Sequence, residues 1–173
     1  SGAVADLDRG EAEVALRTVR SRGERLVVRR IATVGYGAYA TTTYLERHPV
    51  GEDLAAHPWL SGPPGIDGPE PRWLARHVPD ARLALTSELS VALQAACRAH
   101  AGIALLPCFL CDADRLLQRL PIPEPPTEAL WLAVHEDARA IPRVRALLDA
   151  LYQVFEEEAE VLEGRAASPP ARW

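Results

Sequence analysis

The stretch of residues 86–107 constrains the fold most. Leu89, Ala92, Leu93, Ala96 and His100 recur at three- and four-residue spacing, which gathers them on one face of a helix. Thr86 or Ser87 stands at the expected N-cap, Glu88 falls in the first turn, and Gly102 marks the stop. Ile103-Ala-Leu-Leu106 then follows, apolar throughout, of strand length and closed by Pro107. A helix feeding straight into a buried strand is half of a βαβ unit.

The rest of the chain repeats that alternation. Residues 13–18, 26–40, 81–85 and 130–134 read as strands, with Gly35 and Gly37 splitting the second into two segments. Residues 4–10, 41–48, 51–56, 72–77 and 109–120 read as short helices or helix-turns. Pro142 opens a longer helix with a stripe of Val144, Leu147, Leu148, Leu151 and Phe155. The Pro- and Gly-rich segments 61–71 and 122–127 read as loop and linker, and residues 164–173 as a loose tail. Strands separated by helices predict an α/β fold with mostly parallel sheets.

Composition removes several functions. All 19 basic residues are Arg, so Schiff-base, pyridoxal-phosphate and Walker lysine chemistry is excluded. The net charge of −5 argues against a free-standing nucleic-acid binder. The run Arg17, Arg20, Arg22, Arg25, Arg29, Arg30 reads as a solvated flank, with a phosphate contact as the rival reading. No apolar stretch is long enough to span a membrane, and the first residues carry no export signal, so a cytoplasmic location is expected. The chain contains no Met, which reads as a piece of a longer protein or a processed product.

The three cysteines do not form a disulfide framework. Cys108-Phe-Leu-Cys111 reads either as two packed thiols or as a redox pair, and a zinc site would need two further ligands that no spacing supplies. His48, His57, His77, His100 and His135 are scattered, and packing roles are expected for all five. There is no G-x-S-x-G, no G-x-G-x-x-G and no carboxylate pair, so no enzyme, no metal and no cofactor are expected.

Six segments carry a resemblance. ADLDRGEAEVALR (5–17), LVVRRIATVGYGAYA (26–40), YLERHP (44–49), EDLAAH (52–57), AGIALLP (101–107) and PRVRALLD (142–149) occur in the order and spacing of one family. The chain resembles the effector-binding domain of bacterial LysR-type transcriptional regulators. That resemblance implies a two-lobed, periplasmic-binding-protein-like (type 2) α/β fold. Residues 1–35 and 130–162 would form the remainder of lobe I, residues 36–129 lobe II, and residues 163–173 a flexible tail. Crossovers would fall near 34–39 and 125–130. The opening strand and helix of the family's first lobe, and its winged helix-turn-helix, lie upstream of this chain, so lobe I is expected to be incomplete.

The implied function is sensing. A small, anionic effector would sit between the lobes and bias an open–closed equilibrium. Thr86, Ser87 and Glu88 stand at a strand-to-helix junction, where free backbone N–H groups and the helix dipole favour an anion. An ordinary N-cap is the plainer reading. Ser1 would end a first-lobe strand facing the cleft. Arg17 would pair with an anionic ligand or be a surface charge. Tyr36 and Tyr39 would line the cleft or pack the hinge, and Phe109 would stand at the cleft edge. The implied partners are the effector, further copies of the full-length protein in a dimer or tetramer, and DNA only through the upstream helix-turn-helix. Two alternatives stand beside this reading. A transporter's solute-binding protein shares the fold but needs export. A thiol-redox protein built on Cys108 and Cys111 needs a thiol titrating well below the usual value of about 8.5.

Overall fold

The computed structural model describes residues 13–18, 25–51 and 53–166 of the 173-residue chain. The helix expected over 4–10 and the turn at 21–24 lie outside the described residues. In chain order the elements are β1 (Val14–Arg17), β2 (Leu26–Thr41), α1 (Thr42–Arg47), a 3-10 turn (Leu54–Ala56), β3 (Pro58–Ser61), α2 (Pro69–His77), β4 (Arg82–Thr86), α3 (Ser90–Arg98), β5 (Ile103–Pro107), α4 (Cys108–Cys111), β6 (Leu117–Leu120), β7 (Thr127–His135), a second 3-10 turn (Ala138–Ala140), α5 (Pro142–Glu157) and α6 (Ala159–Leu162). The chain divides into two compact units, Ser1–Val34 with Glu128–Glu160, and Gly35–Thr127 with Val161–Trp173.

In unit 1, β7 lies between β1 and β2. β1 runs antiparallel to β7, with Val14 opposite Val134 and Arg17 opposite Trp131. Pro142 opens α5, where its missing N–H is not needed. Only Val144 and Leu148 of the expected stripe are fully buried, against Leu132, Val134 and Ala138, while Leu147 is exposed. Members of the arginine run are engaged here, Arg30 among them with a bond to the Thr33 hydroxyl at 2.6 Å. Arg25 pairs with Glu136 and Asp137, and Arg29 lies 4.7 Å from the centroid of the Tyr152 ring.

Unit 2 holds the sheet β6-β2-β5-β3-β4. β3 is parallel to β4 and β5, whereas β2 is antiparallel to β5 and β6. The parallel arrangement expected from helix–strand alternation thus holds for β3, β4 and β5, and the sheet as a whole is mixed.

Period-two alternation sends side chains to two cores. Ala38, Ala40, Trp59, Ile103 and Leu105 face one side with Tyr44, Trp73 and Leu74. Tyr39, Leu60, Ala104 and Leu106 face the other with Leu93, Cys97 and Cys111. This explains the unbroken apolar run of β5, whose Ile103, Ala104, Leu105 and Leu106 are all fully buried. Each large aliphatic side chain so buried contributes about 1.5–3 kcal/mol. Both buried indoles keep their N–H groups bonded, Trp59 to the Leu54 carbonyl and Trp73 to the Pro123 carbonyl, each at 2.9 Å.

Several expectations need correction. β6 forms inside the segment read as helix-turn, and β3 forms over residues given no element, reaching the expected loop only at Ser61. β2 is one continuous strand, so the glycines do not break it. Gly35 instead permits close approach, because a Cβ there would collide with the Glu163 carbonyl. α3 starts at Ser90, so Thr86, Ser87 and Glu88 precede the helix rather than cap it. At the start of the segment expected to be a loose tail, Arg119 donates to the Gly164 carbonyl at 2.8 Å and Gly164 abuts the Cys108 side chain; residues 167–173 lie outside the described residues.

Candidate functional site at the carboxyl ends of the parallel strands

β3, β4 and β5 end at Ser61, Thr86 and Pro107. In open α/β sheets this edge is where ligands bind, because the loops there start helices whose N–H groups point outward. The strand ends are tied together. Ser61 is opposite Thr86 in the ladder, and the Ser87 N–H donates to the Ser61 carbonyl at 3.1 Å. The Ser87 Oγ accepts from the Leu89 N–H at 3.1 Å, a local turn bond that precedes the helix. No side chain caps α3. Its amino end therefore keeps the positive end of the helix dipole and N–H groups unserved by a cap.

Ser61 adds an orphan. It is 1% exposed, and its Oγ is the one buried side-chain polar atom among the described residues without a hydrogen-bond partner. A buried hydroxyl left unpaired costs about 1–3 kcal/mol. Reading the sequence missed Ser61 because it missed β3. The signal was a Trp-Leu pair between Pro58 and Gly62, too short to show a period.

The expected site residues fall in different places. Thr86 and Glu88 are exposed and Ser87 is half-buried, all on the same short junction. Phe109 is 45% exposed in α4, immediately beyond β5. Tyr36 is buried, and its N–H donates to the Pro126 carbonyl at 3.0 Å. Tyr39 is 1% exposed, and its hydroxyl donates to Asp112 Oδ1 at 2.6 Å. Burial, then the bond to Asp112, raises its phenol far above its ordinary value. Tyr39 is a core residue that fixes α4, with its hydroxyl already committed to Asp112. Arg17 belongs to β1 of unit 1. Ser1 lies outside the described residues.

The thiols do not support redox chemistry. Cys97, Cys108 and Cys111 are free and fully buried. Burial pushes Cys97 up to about 12 and raises Cys108 and Cys111 as well. A nucleophilic thiol needs the opposite shift, so burial works against the redox reading. No group of three or more His, Cys, Asp or Glu among the described residues is arranged to hold a metal ion. No helix among them is long and apolar enough to cross a membrane. The histidines depart from their expected scatter: His48, His57 and His100 line one pocket at the opposite, amino ends of the strands.

An open sheet covered by helices on both faces, with β1, β7 and the closing helix α5 belonging to a second unit, defines an effector-domain fold of the type 2 periplasmic-binding class. The chain belongs to the LysR substrate binding domain family, whose model matches residues 1–156. It is similar to the regulatory domain of CrgA, a LysR-type transcriptional regulator from Neisseria meningitidis, with 22% identity and a TM-score of 0.69 over 86% of this chain and 78% of that one. The full-length virulence activator AphB from Vibrio cholerae gives 20% identity and a TM-score of 0.68 over 90% of this chain and 56% of its own. The effector domain of AmpR from Pseudomonas aeruginosa gives 18% identity and a TM-score of 0.70 over 90% of this chain and 78% of its own. At these identities the likeness is one of fold. The chain thus spans a little over half of full-length AphB. A search of curated proteins finds no match.

Proposed function

We propose that this chain is the sensor part of a transcriptional regulator, and that it binds a small anionic effector at the carboxyl edge of β3, β4 and β5. The observation that carries this reading is the meeting of an uncapped α3 with the partnerless, buried Ser61 hydroxyl. Backbone N–H groups at the helix start supply donors for an anion. Thr86 and Ser87 supply neutral hydroxyls, Phe109 an apolar surface just after β5, and Glu88 a carboxylate that favours ligands with a donor group as well. An amino acid or hydroxy acid meets all of these demands better than a simple carboxylate. Occupancy then biases the population of domain arrangements, and a longer protein that carries a DNA-binding head converts the bias into transcriptional control. No catalytic step is assigned.

The test is a thermal-shift screen against organic acids, amino acids and aromatic carboxylates. A ligand present at a hundred times its dissociation constant adds about 2.7 kcal/mol of stability. Ser87→Ala and Ser61→Ala are expected to weaken the hit about tenfold each, the size of one hydrogen bond to a charged group. A hit whose affinity both variants leave untouched places the effector elsewhere.

A further inference from the structure

The amino ends of the same strands carry a different constellation. Ladder register brings it together: Pro58 lies opposite Arg82, and Trp59 lies opposite Ile103. The residues just before β3 and β5, and the first residue of β4, therefore share one edge. A pocket of about 970 Å3 opens there, lined by Arg47, His48, His57, Arg82 and His100, with Asp53 the acidic group among the described residues.

The hydrogen-bond network fixes the donors. Thr41 is 2% exposed, and its Oγ accepts from the Tyr44 N–H at 3.2 Å. Its own proton has one acceptor in reach, His100 Nδ1 at 2.6 Å. The His100 ring is accordingly assigned its proton on Nε2. The same logic holds for His57. The buried Tyr44 hydroxyl lies 3.0 Å from His57 Nδ1, and with the hydroxyl assigned as donor Nε2–H is left as the free donor. Neither Nε2 has a protein partner among the described residues.

The charges agree with the donors. No carboxylate of the described residues lies within ion-pair distance of Arg47 or Arg82, although Arg25, Arg72, Arg76, Arg98, Arg119, Arg143 and Arg165 are all paired. Asp53 spends one oxygen on the Ala55 N–H at 3.0 Å, starting the 3-10 turn. His100 is also held in a conformation that the fold alone does not favour. It sits at φ +64°, just past α3, with its N–H on the Cys97 carbonyl and the Ala101 N–H on the Ala96 carbonyl. That two-bond helix ending normally takes glycine. Outliers of this kind accumulate at functional sites.

We propose that this pocket is a second ligand site, separate from the carboxyl edge, and that it holds the phosphate group of a small phosphate monoester. Guanidinium groups from α1 and β4 and imidazole donors from two loops converge from four elements. A tetrahedral group with three free oxygens uses four such donors better than a planar carboxylate does, and arginine suits it by its forked geometry. The pocket volume leaves room for the remainder of the ester. The proposal does not rest on the effector reading of the opposite edge.

Isothermal titration of the 173-residue chain with inorganic phosphate, at fixed ionic strength in chloride, tests it. One saturable site is expected, weakened about tenfold by Arg47→Ala and by Arg82→Ala. His100→Gly relieves the left-handed backbone but strips the Thr41 hydroxyl of its acceptor, so its melting temperature is expected to move little while it binds phosphate several times more weakly. Any of three results overturns the proposal: no saturable binding, binding that persists in the R47A/R82A double variant, or citrate binding tighter than phosphate. Phosphate binding lost in Ser87→Ala but kept in R47A/R82A would move the anion to the carboxyl edge and equally overturn it.

Discussion

The two ends of the β3–β4–β5 ladder use the same strands for unlike chemistry. At the carboxyl edge stand Ser61, Thr86 and Ser87, one carboxylate, and a helix start without a cap. At the amino edge stand, among the described residues, two arginines without carboxylate partners and three imidazoles, with one aspartate. The first edge is built of neutral donors in a partly dry setting, where direction and fit decide affinity. The second is built of exposed guanidinium groups, where charge decides it and salt screens it. A parallel ladder thus offers two places to bind anions by different physics, because its two edges receive different loops.

Breaking one edge should spare the other, and the largest break is Gly102→Ala. Gly102 has φ +150°, and a Cβ there would strike the Pro58 carbonyl where β5 enters beside β3. Backbone strain and that collision together should cost about 3 kcal/mol or more. Urea denaturation should show a clear fall in midpoint, and an unchanged midpoint would mean that the amino edge spreads freely.

Ser87→Ala comes next, with about a tenfold loss of effector affinity and little change in melting temperature, since Ser87 is half-buried outside any helix. A melting temperature that falls along with affinity would make Ser87 a structural residue instead.

Salt separates the edges more gently. Raising it from about 0.1 M to about 1 M shortens the screening length from about 10 Å to about 3 Å. Phosphate affinity at the amino edge should drop severalfold, while affinity for the carboxyl-edge effector should move much less. Equal sensitivity at both would erase the distinction drawn here.

The smallest effect concerns pH. Burial, then the neighbouring His48, lowers His57 below its ordinary 6.5. The folded protein keeps this ring neutral, whereas the unfolded chain protonates it near 6.5. Its contribution to stability is therefore full above pH 6.5 and is lost as pH falls through the lower, folded value. In phosphate-free buffer the melting temperature should decline below pH 6.5, and His57→Gln should flatten that slope. A slope that His57→Gln leaves intact would assign the acid sensitivity to other groups.

Long, strongly periodic elements were legible from sequence. β5 is apolar because helices cover both its faces, and α5 announces itself with Pro142 and a Val144–Leu148 spacing. β3 was not legible, although it is the strand that joins β4 to β5. Four residues opened by Pro58 hold too little pattern, and Trp59 and Leu60 point to opposite cores, so they read as neither period. The Ser87 junction could be named but not described, because which N–H its hydroxyl accepts depends on where α3 begins. The histidine pocket was invisible for a topological reason. His57 and His100 are far apart in sequence and meet only because β3 pairs with β5 in one register. Strand order is a property of tertiary packing, and no local spacing encodes it.

The helix ending at His100 has a consequence for how such a sequence changes over generations. The left-handed backbone pulls that position toward glycine, and the bond to Thr41 together with the pocket holds histidine against the drift. The residue therefore works as a record. A lineage that abandons the amino-edge ligand should shed its imidazole first there, before the buried His57, whose loss the core itself resists.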